Sequence, residues 1–131
     1  MTPNPPELAR ELARRLRDEI VPELTGFRAG NVGMTAAILD MLGEQWNGAA
    51  ARLVEENDAI RALLERGGVP GPVSRQSLRI SALEVENAAL RTALIDLHAA
   101  AEARSDAALT VAIWAELARS VERRRLASAN F

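Results

Sequence analysis

The chain contains no cysteine and no lysine. The first absence excludes disulfides, thiolate metal sites and thiol nucleophiles, and is compatible with a reducing cytoplasm. The second excludes a Schiff base, a Walker A lysine and a kinase-type phosphate lysine. Arginine supplies all 16 basic residues. Only bidentate sites demand arginine over lysine, so the codon bias of a GC-rich genome accounts for the preference. Aromatics make up 3% of a chain that is 48% hydrophobic, so its core is built from Leu, Ile, Val and Ala. That is helix composition, short of strand-favouring residues. No stretch approaches the ~18 consecutive apolar residues of a membrane span, and "MTPNPPELARELARR" lacks the apolar region of a secretion signal. A net charge of -2 gives no field that seeks polyanions. The expectation is a cytoplasmic protein with neither a nucleic-acid nor a membrane partner.

At 131 residues the chain fits a single domain spanning residues 1–131. A first helix opens at Asn4, a capping residue, with Pro5 and Pro6 in a first turn where missing amides cost nothing. Leu8, Leu12, Leu16 and Ile20 then form a stripe flanked by Ala9 and Ala13, while Arg10, Glu11, Arg14 and Arg17 face water. Pro22 either kinks this helix, which then runs to Leu24, or stops it near Ile20.

A second helical segment begins near Phe27 and ends at Gly67-Gly68, with Val32, Ala36, Leu39, Leu42, Trp46, Ala50, Leu53, Ile60 and Leu64 on one broad stripe. Glycines 30, 33, 43 and 48 each cost up to about 1 kcal/mol inside a helix. Ala29, Gly33 and Ala37 form a small-residue row that lets another backbone approach. "WNG" at 46–48 reads as a break, so the segment is either one helix over 27–66 or two divided near Asn47-Gly48. The heptad phase crosses that point without a slip. "GGVPGPVSRQS" is a rigid Pro/Gly turn at 67–76. A third helix from about Ser77 carries Ile80, Leu83, Leu90, Leu94, Leu97 and Ala101. A fourth starts near the caps Ser105 and Asp106, with Leu109, Ile113, Leu117 and Val121 inward. The fold class is all-α: an antiparallel helical bundle of four helices, or five if the second breaks.

One pattern repeats. "ENDAIR" and "ENAALR" place Asn57 and Asn87 in equivalent slots of Leu53-Asn57-Ile60-Leu64 and Leu83-Asn87-Leu90-Leu94. Each asparagine follows a glutamate and precedes an arginine by four residues; duplication and chance both explain the match. Folding the two helices back about Pro72 brings the asparagines level. Asparagine at a core position costs stability but fixes register, because its amide must find a partner. The expectation is a bond between Asn57 and Asn87 across the hairpin or across a subunit interface; the alternative is that both sit on the flank and bond to water.

Catalytic signatures are missing. His98, the only histidine, shares a helical face with Glu102 but not with Asp96, and reads as a helix-flank residue. There is no Glu-x-x-His pair, no HExxH and no Gly-rich loop after a strand. No catalytic, cofactor or metal residues are assigned. Arg119, Arg123, Arg124 and Arg125 suit the negative end of the last helix. Trp46 and Trp114, with Phe27 and Phe131 the only aromatics, are expected to anchor packing or to cap an oligomer interface. An Ala-rich bundle leaves part of its leucine surface uncovered, which favours a homodimer.

At "LRDEIVPELTGFRAGNVG", through Leu16 to Glu19, Pro22, Gly26, Phe27 and Asn31, and again at "RLASAN", the chain resembles an uncharacterised bacterial helical family. Members of that family are encoded beside acyl-CoA dehydrogenase-like and aminoglycoside-phosphotransferase-like proteins. The resemblance covers about a quarter of the chain, holds no catalytic motif and departs through the asparagine repeat. It implies an accessory role near acyl-CoA or phosphotransferase chemistry, with room for a partner enzyme. The functional expectation is a non-catalytic, self-associating interaction module. The alternative is a small-molecule binder with an apolar cleft between the first two helices, lined by Gly30, Gly33 and Asn31.

Overall fold

The computed structural model describes residues 2, 4–74 and 76–129. They fold as α1 (Pro5–Arg15), α2 (Gly26–Arg66), α3 (Ile80–Ala103) and α4 (Ala107–Arg124), with no strand among the described residues. Phe131 and the Asn130 of "RLASAN" lie outside them. The chain divides into two compact units. One runs through Gly48 and includes the segment after Arg124; the other is Ala49–Arg124. The helix α2 contributes residues to both, unbroken through Asn47 and Gly48.

In the first unit Asn4 holds the cap position of α1, but its side chain makes no capping bond. Pro6 has removed one of the amides such a bond uses. The helix does not simply kink at Pro22. It widens into a π-turn over Leu16–Ile20, where the Val21 amide reaches back to the Leu16 carbonyl, and tightens into a 3-10 turn over Val21–Glu23. A proline cannot supply the amide its preceding turn expects, and the adjusted turns absorb that loss. Gly26 then takes a left-handed φ of +59°, which starts α2.

The contact between α1 and α2 runs along small residues, not along the leucine stripe. Ala13 and Ala36 are fully buried, and a Cβ built on Gly43 would stand 3.3 Å from both the Ala9 Cβ and the Pro6 carbonyl oxygen. Leu8, Leu12 and Ile20 stay about half exposed as a result. The expected small-residue row is displaced too: nothing lies within 4 Å of a Cβ on Gly30 or Gly33, so Gly43 is the close approach.

The second unit packs residues 49–66 of α2 with α3 and α4. Ile60, Leu63, Leu64, Leu90, Leu94, Leu97, Ala101, Leu109 and Ile113 form its core. α2 ends in a Schellman motif: the Val69 amide bonds the Leu64 carbonyl at 2.9 Å, the Gly68 amide bonds Glu65 at 3.0 Å, and Gly68 adopts φ +70°. α3 ends in the same way, with Ser105 in the left-handed position, and begins at Ile80, three residues later than the sequence suggests. Asp106 caps α4 by accepting the Leu109 amide at 3.1 Å. The inward face of α4 is rotated from the expected one: Val121 is exposed, while Glu116 and Ser120 are buried.

Gly67 and Gly33 should respond oppositely to the same change. A Cβ on Gly67 falls 2.4 Å from Cδ1 of the buried Leu97, so Gly67→Ala is expected to cost about 1–3 kcal/mol. Gly33→Ala meets open space inside a helix and should gain up to about 1 kcal/mol. Urea unfolding midpoints of the two variants measure both shifts.

Candidate functional site

Six polar residues are buried in the second unit: Glu56, Asn57, Glu86, Asn87, Glu116 and Ser120. The hairpin of α2 and α3 seats the asparagines level. Asn87 Nδ2 donates to Asn57 Oδ1 at 2.9 Å, and Asn57 Nδ2 donates to the Leu83 carbonyl at 3.2 Å. The glutamate and arginine that flank each asparagine pair crosswise: Arg91 with Glu56, and Arg61 with Glu86 at 2.9 Å. Two antiparallel helices carrying the same short motif are related by a local two-fold, so the glutamate of each meets the arginine of the other.

Glu56 is the most heavily engaged group. Its Oε1 accepts from Arg91 Nε at 3.0 Å, Arg91 Nη2 at 2.8 Å, Arg124 Nη2 at 3.1 Å and Ser120 Oγ at 3.2 Å. Its Oε2 stands 2.6 Å from Arg124 Nη1. Burial pushes the Glu56 carboxyl upward, but hydrogen bonds from Arg124, Arg91 and Asn87 outweigh it and hold the pKa below the ordinary glutamate value. Glu116 is held by Arg119 at 3.0 Å and by Arg123, which also reaches Glu55 at 3.1 Å. Arg119, Arg123 and Arg124 are therefore spent on this layer. Each of the buried carboxylates Glu56, Glu86 and Glu116 pairs with arginine, and the arrangement acts as a register lock.

Nearby, His98 lies edge-on to Trp114, with ring centroids 5.4 Å apart. Its Nε2 is buried without a hydrogen bond, the Glu102 carboxylate standing at 3.4 Å. Neither tryptophan anchors the core. Trp114 is 58% exposed and Trp46, in the first unit, 66% exposed.

The α1–α2 hairpin of the first unit has two unlike flanks. One is a cleft of about 650 Å³ lined chiefly by Glu7, Arg10, Arg17, Asp40, Glu44 and Asn47. Arg17 pairs with Asp40. Glu44 captures the chain after α4, accepting the Ala127 amide at 2.7 Å, the Ser128 amide at 2.9 Å and the Ser128 hydroxyl at 2.5 Å. This cleft lies between the two helices where the sequence suggests one, but mostly charged and polar side chains line it, and Gly30 and Gly33 do not. The other surface is apolar. The period of 3.6 residues per turn puts Leu8 and Leu12 on the side of α1 away from Arg10 and Arg17. Leu42 and Trp46 fall on the same side of α2, and Phe27, Met34 and Ile38 continue around its outer face. All seven are exposed, Phe27 by 84%.

Among the described residues, no three His, Asp or Glu side chains are grouped to hold a metal ion, and no helix is long and apolar enough to cross a membrane. The chain matches no protein-family model, no curated protein and no solved structure.

Replacing Glu56 tests the lock. Glu56→Gln should cost about 2 kcal/mol at neutral pH, less than for a fully enclosed pair because Arg91 and Arg124 are half exposed and regain water. The folded carboxyl titrates below its unfolded value of 4.5, so its contribution is full above that pH and is lost as pH falls through the folded value. Urea midpoints followed from neutral pH downward should fall less steeply for Glu56→Gln than for the parent.

Proposed function

We propose that the chain is a non-catalytic, self-associating helical module, working in a bacterial cytoplasm as an accessory to other proteins. One observation carries this reading. Between Ala29 and Ala51 the only charged residues are Asp40 and Glu44, and both turn to the polar cleft. The outer face of α2 is left without a charge over more than five turns, in a helix exposed to water. Helices that face solvent ordinarily carry charge there. The side chains of Phe27, Met34, Ile38, Leu42 and Trp46 alone expose on the order of 600 Å², the upper end of the largest patch on a typical monomer. With Leu8 and Leu12 the surface approaches the roughly 800 Å² that each partner buries in a stable complex. The resemblance around "LRDEIVPELTGFRAGNVG" supports an accessory role and leaves room for a partner enzyme as well.

The polar cleft supports a second reading, the binding of a small polar molecule. Arg10, Glu7 and Asn47 make no hydrogen bond or ion pair among the described residues, while Arg17, Asp40 and Glu44 are already engaged. One unpaired cation, one unpaired anion and an amide complement a small zwitterion, in a cleft within the usual size range of about 300–1,000 Å³.

Sedimentation from micromolar to millimolar concentration tests the first reading. A species of twice the chain mass is expected, and a monomer throughout overturns it. Calorimetric titration with glycine, glutamate and arginine tests the second. Heat that Arg10→Ala weakens at least tenfold supports the cleft site; no heat from any of the three rejects it.

A further inference from the structure

A groove between α3 and α4, wholly within the second unit, sets a short apolar floor beside spare positive charge. We propose that it binds a short straight-chain monocarboxylate of about five carbons, such as pentanoate. The carboxylate lies at Arg91 and the hydrocarbon runs toward His98. The site uses no residue of the apolar face or of the polar cleft, and its occupancy does not depend on self-association.

Helical spacing builds the groove. On α3, Arg91, Leu94, Ile95 and His98 follow one another at intervals of three and four residues or less, on one side of the helix. On α4, Ile113 and Leu117 stand one turn apart. These six residues line a space of about 90 Å³. Leu94 and Ile113 are buried beneath it, while Ile95 is exposed at its rim. A cavity of about 150 Å³ takes benzene, so this space suits a tail of about four carbons. Arg91 and His98 are two turns apart, about 10 Å along the axis, so the tail lies along α3 and not across it.

Charge selects the head group and its direction. Arg91 donates through Nε and Nη2 to Glu56 and through Nη2 to Ser120, while its Nη1 makes no hydrogen bond among the described residues. Glu56 is shared between Arg91 and Arg124, and Glu116 between Arg119 and Arg123, the last also reaching Glu55. In this layer three carboxylates therefore face four guanidinium groups, which leaves one positive charge uncompensated. The Arg91 side chain is half exposed. An anion beside it gains a charge-assisted hydrogen bond without displacing those that Arg91 already makes. At the other end the Glu102 carboxylate stands 3.4 Å from His98 Nε2 and turns an anion away. The acid therefore enters with its head toward Arg91.

Trp114 lies edge-on to His98 and reports on the groove. Trp46→Phe leaves it as the only tryptophan of the full chain. In that background pentanoate should shift the Trp114 emission and saturate in the millimolar range, as suits so small a ligand. Pentan-1-ol, with the same tail and no charge, should bind at least about tenfold more weakly, the worth of a hydrogen bond to a charged group. Acetate, which has the head without the tail, should not saturate. Ile95→Glu changes an exposed position, so helix content by circular dichroism should stay the same while pentanoate weakens at least about tenfold. Arg91→Gln should lower pentanoate to the affinity of pentan-1-ol and leave pentan-1-ol unchanged. If that variant does not fold, Ile95→Glu decides alone. Backbone amide NMR shifts caused by pentanoate should cluster at residues 91–98 and 113–117. Pentan-1-ol binding as tightly as pentanoate overturns the choice of an acid. No saturable change with either ligand, full binding by Ile95→Glu, or shifts clustered about Arg10 in the polar cleft overturns the site.

Discussion

A buried amide that must be satisfied governs the second unit. Asn57 and Asn87 are buried beside a core built mainly of leucine and isoleucine, where an unpaired amide costs about 1–3 kcal/mol. Only one register of the α2–α3 hairpin lets Asn87 donate to Asn57 while Asn57 donates to the Leu83 carbonyl. A slip of one turn strands both amides and separates Glu56 from Arg91 and Glu86 from Arg61. Leucines alone would tolerate such a slip, because one leucine layer packs nearly as well on the next. The polar residues therefore contribute specificity more than net stability, as buried polar groups do where they fix register.

The first unit follows a different constraint. Its two helices meet through alanine, proline and glycine, so their backbones come close and little side-chain area is buried between them. The larger apolar residues are displaced to the outside by this close approach. What makes the hairpin compact also leaves it with an apolar exterior, and the polar cleft on its other side carries the charges that α2 otherwise lacks.

The helices themselves were legible in the sequence because composition, prolines and glycines agree on them. The core of α3 followed from Leu83, Leu90, Leu94 and Leu97, whose spacing holds phase over a short helix. The exposure of Leu42 and Trp46 on the stripe of α2 did not follow, because the apolar pattern does not show where α1 packs. It meets α2 at the small residues Ala36 and Gly43 and leaves Leu42 and Trp46 uncovered. The asparagine pair was visible as a repeat, whereas its crossed ion pairs were not foreseen, although the glutamate and arginine of each motif stood in plain sight at equal offsets. Ser120 and Glu116 gave no signal: a serine and a glutamate on an amphipathic helix look solvated until the arginines that reach them are placed.

The fit between Gly67 and Leu97 ties two distant positions of the chain together. The leucine methyls occupy the volume that any side chain at 67 requires. Across descendants of this sequence the two sites are thus expected to change in concert: a smaller residue at 97 first, and only then anything other than glycine at 67.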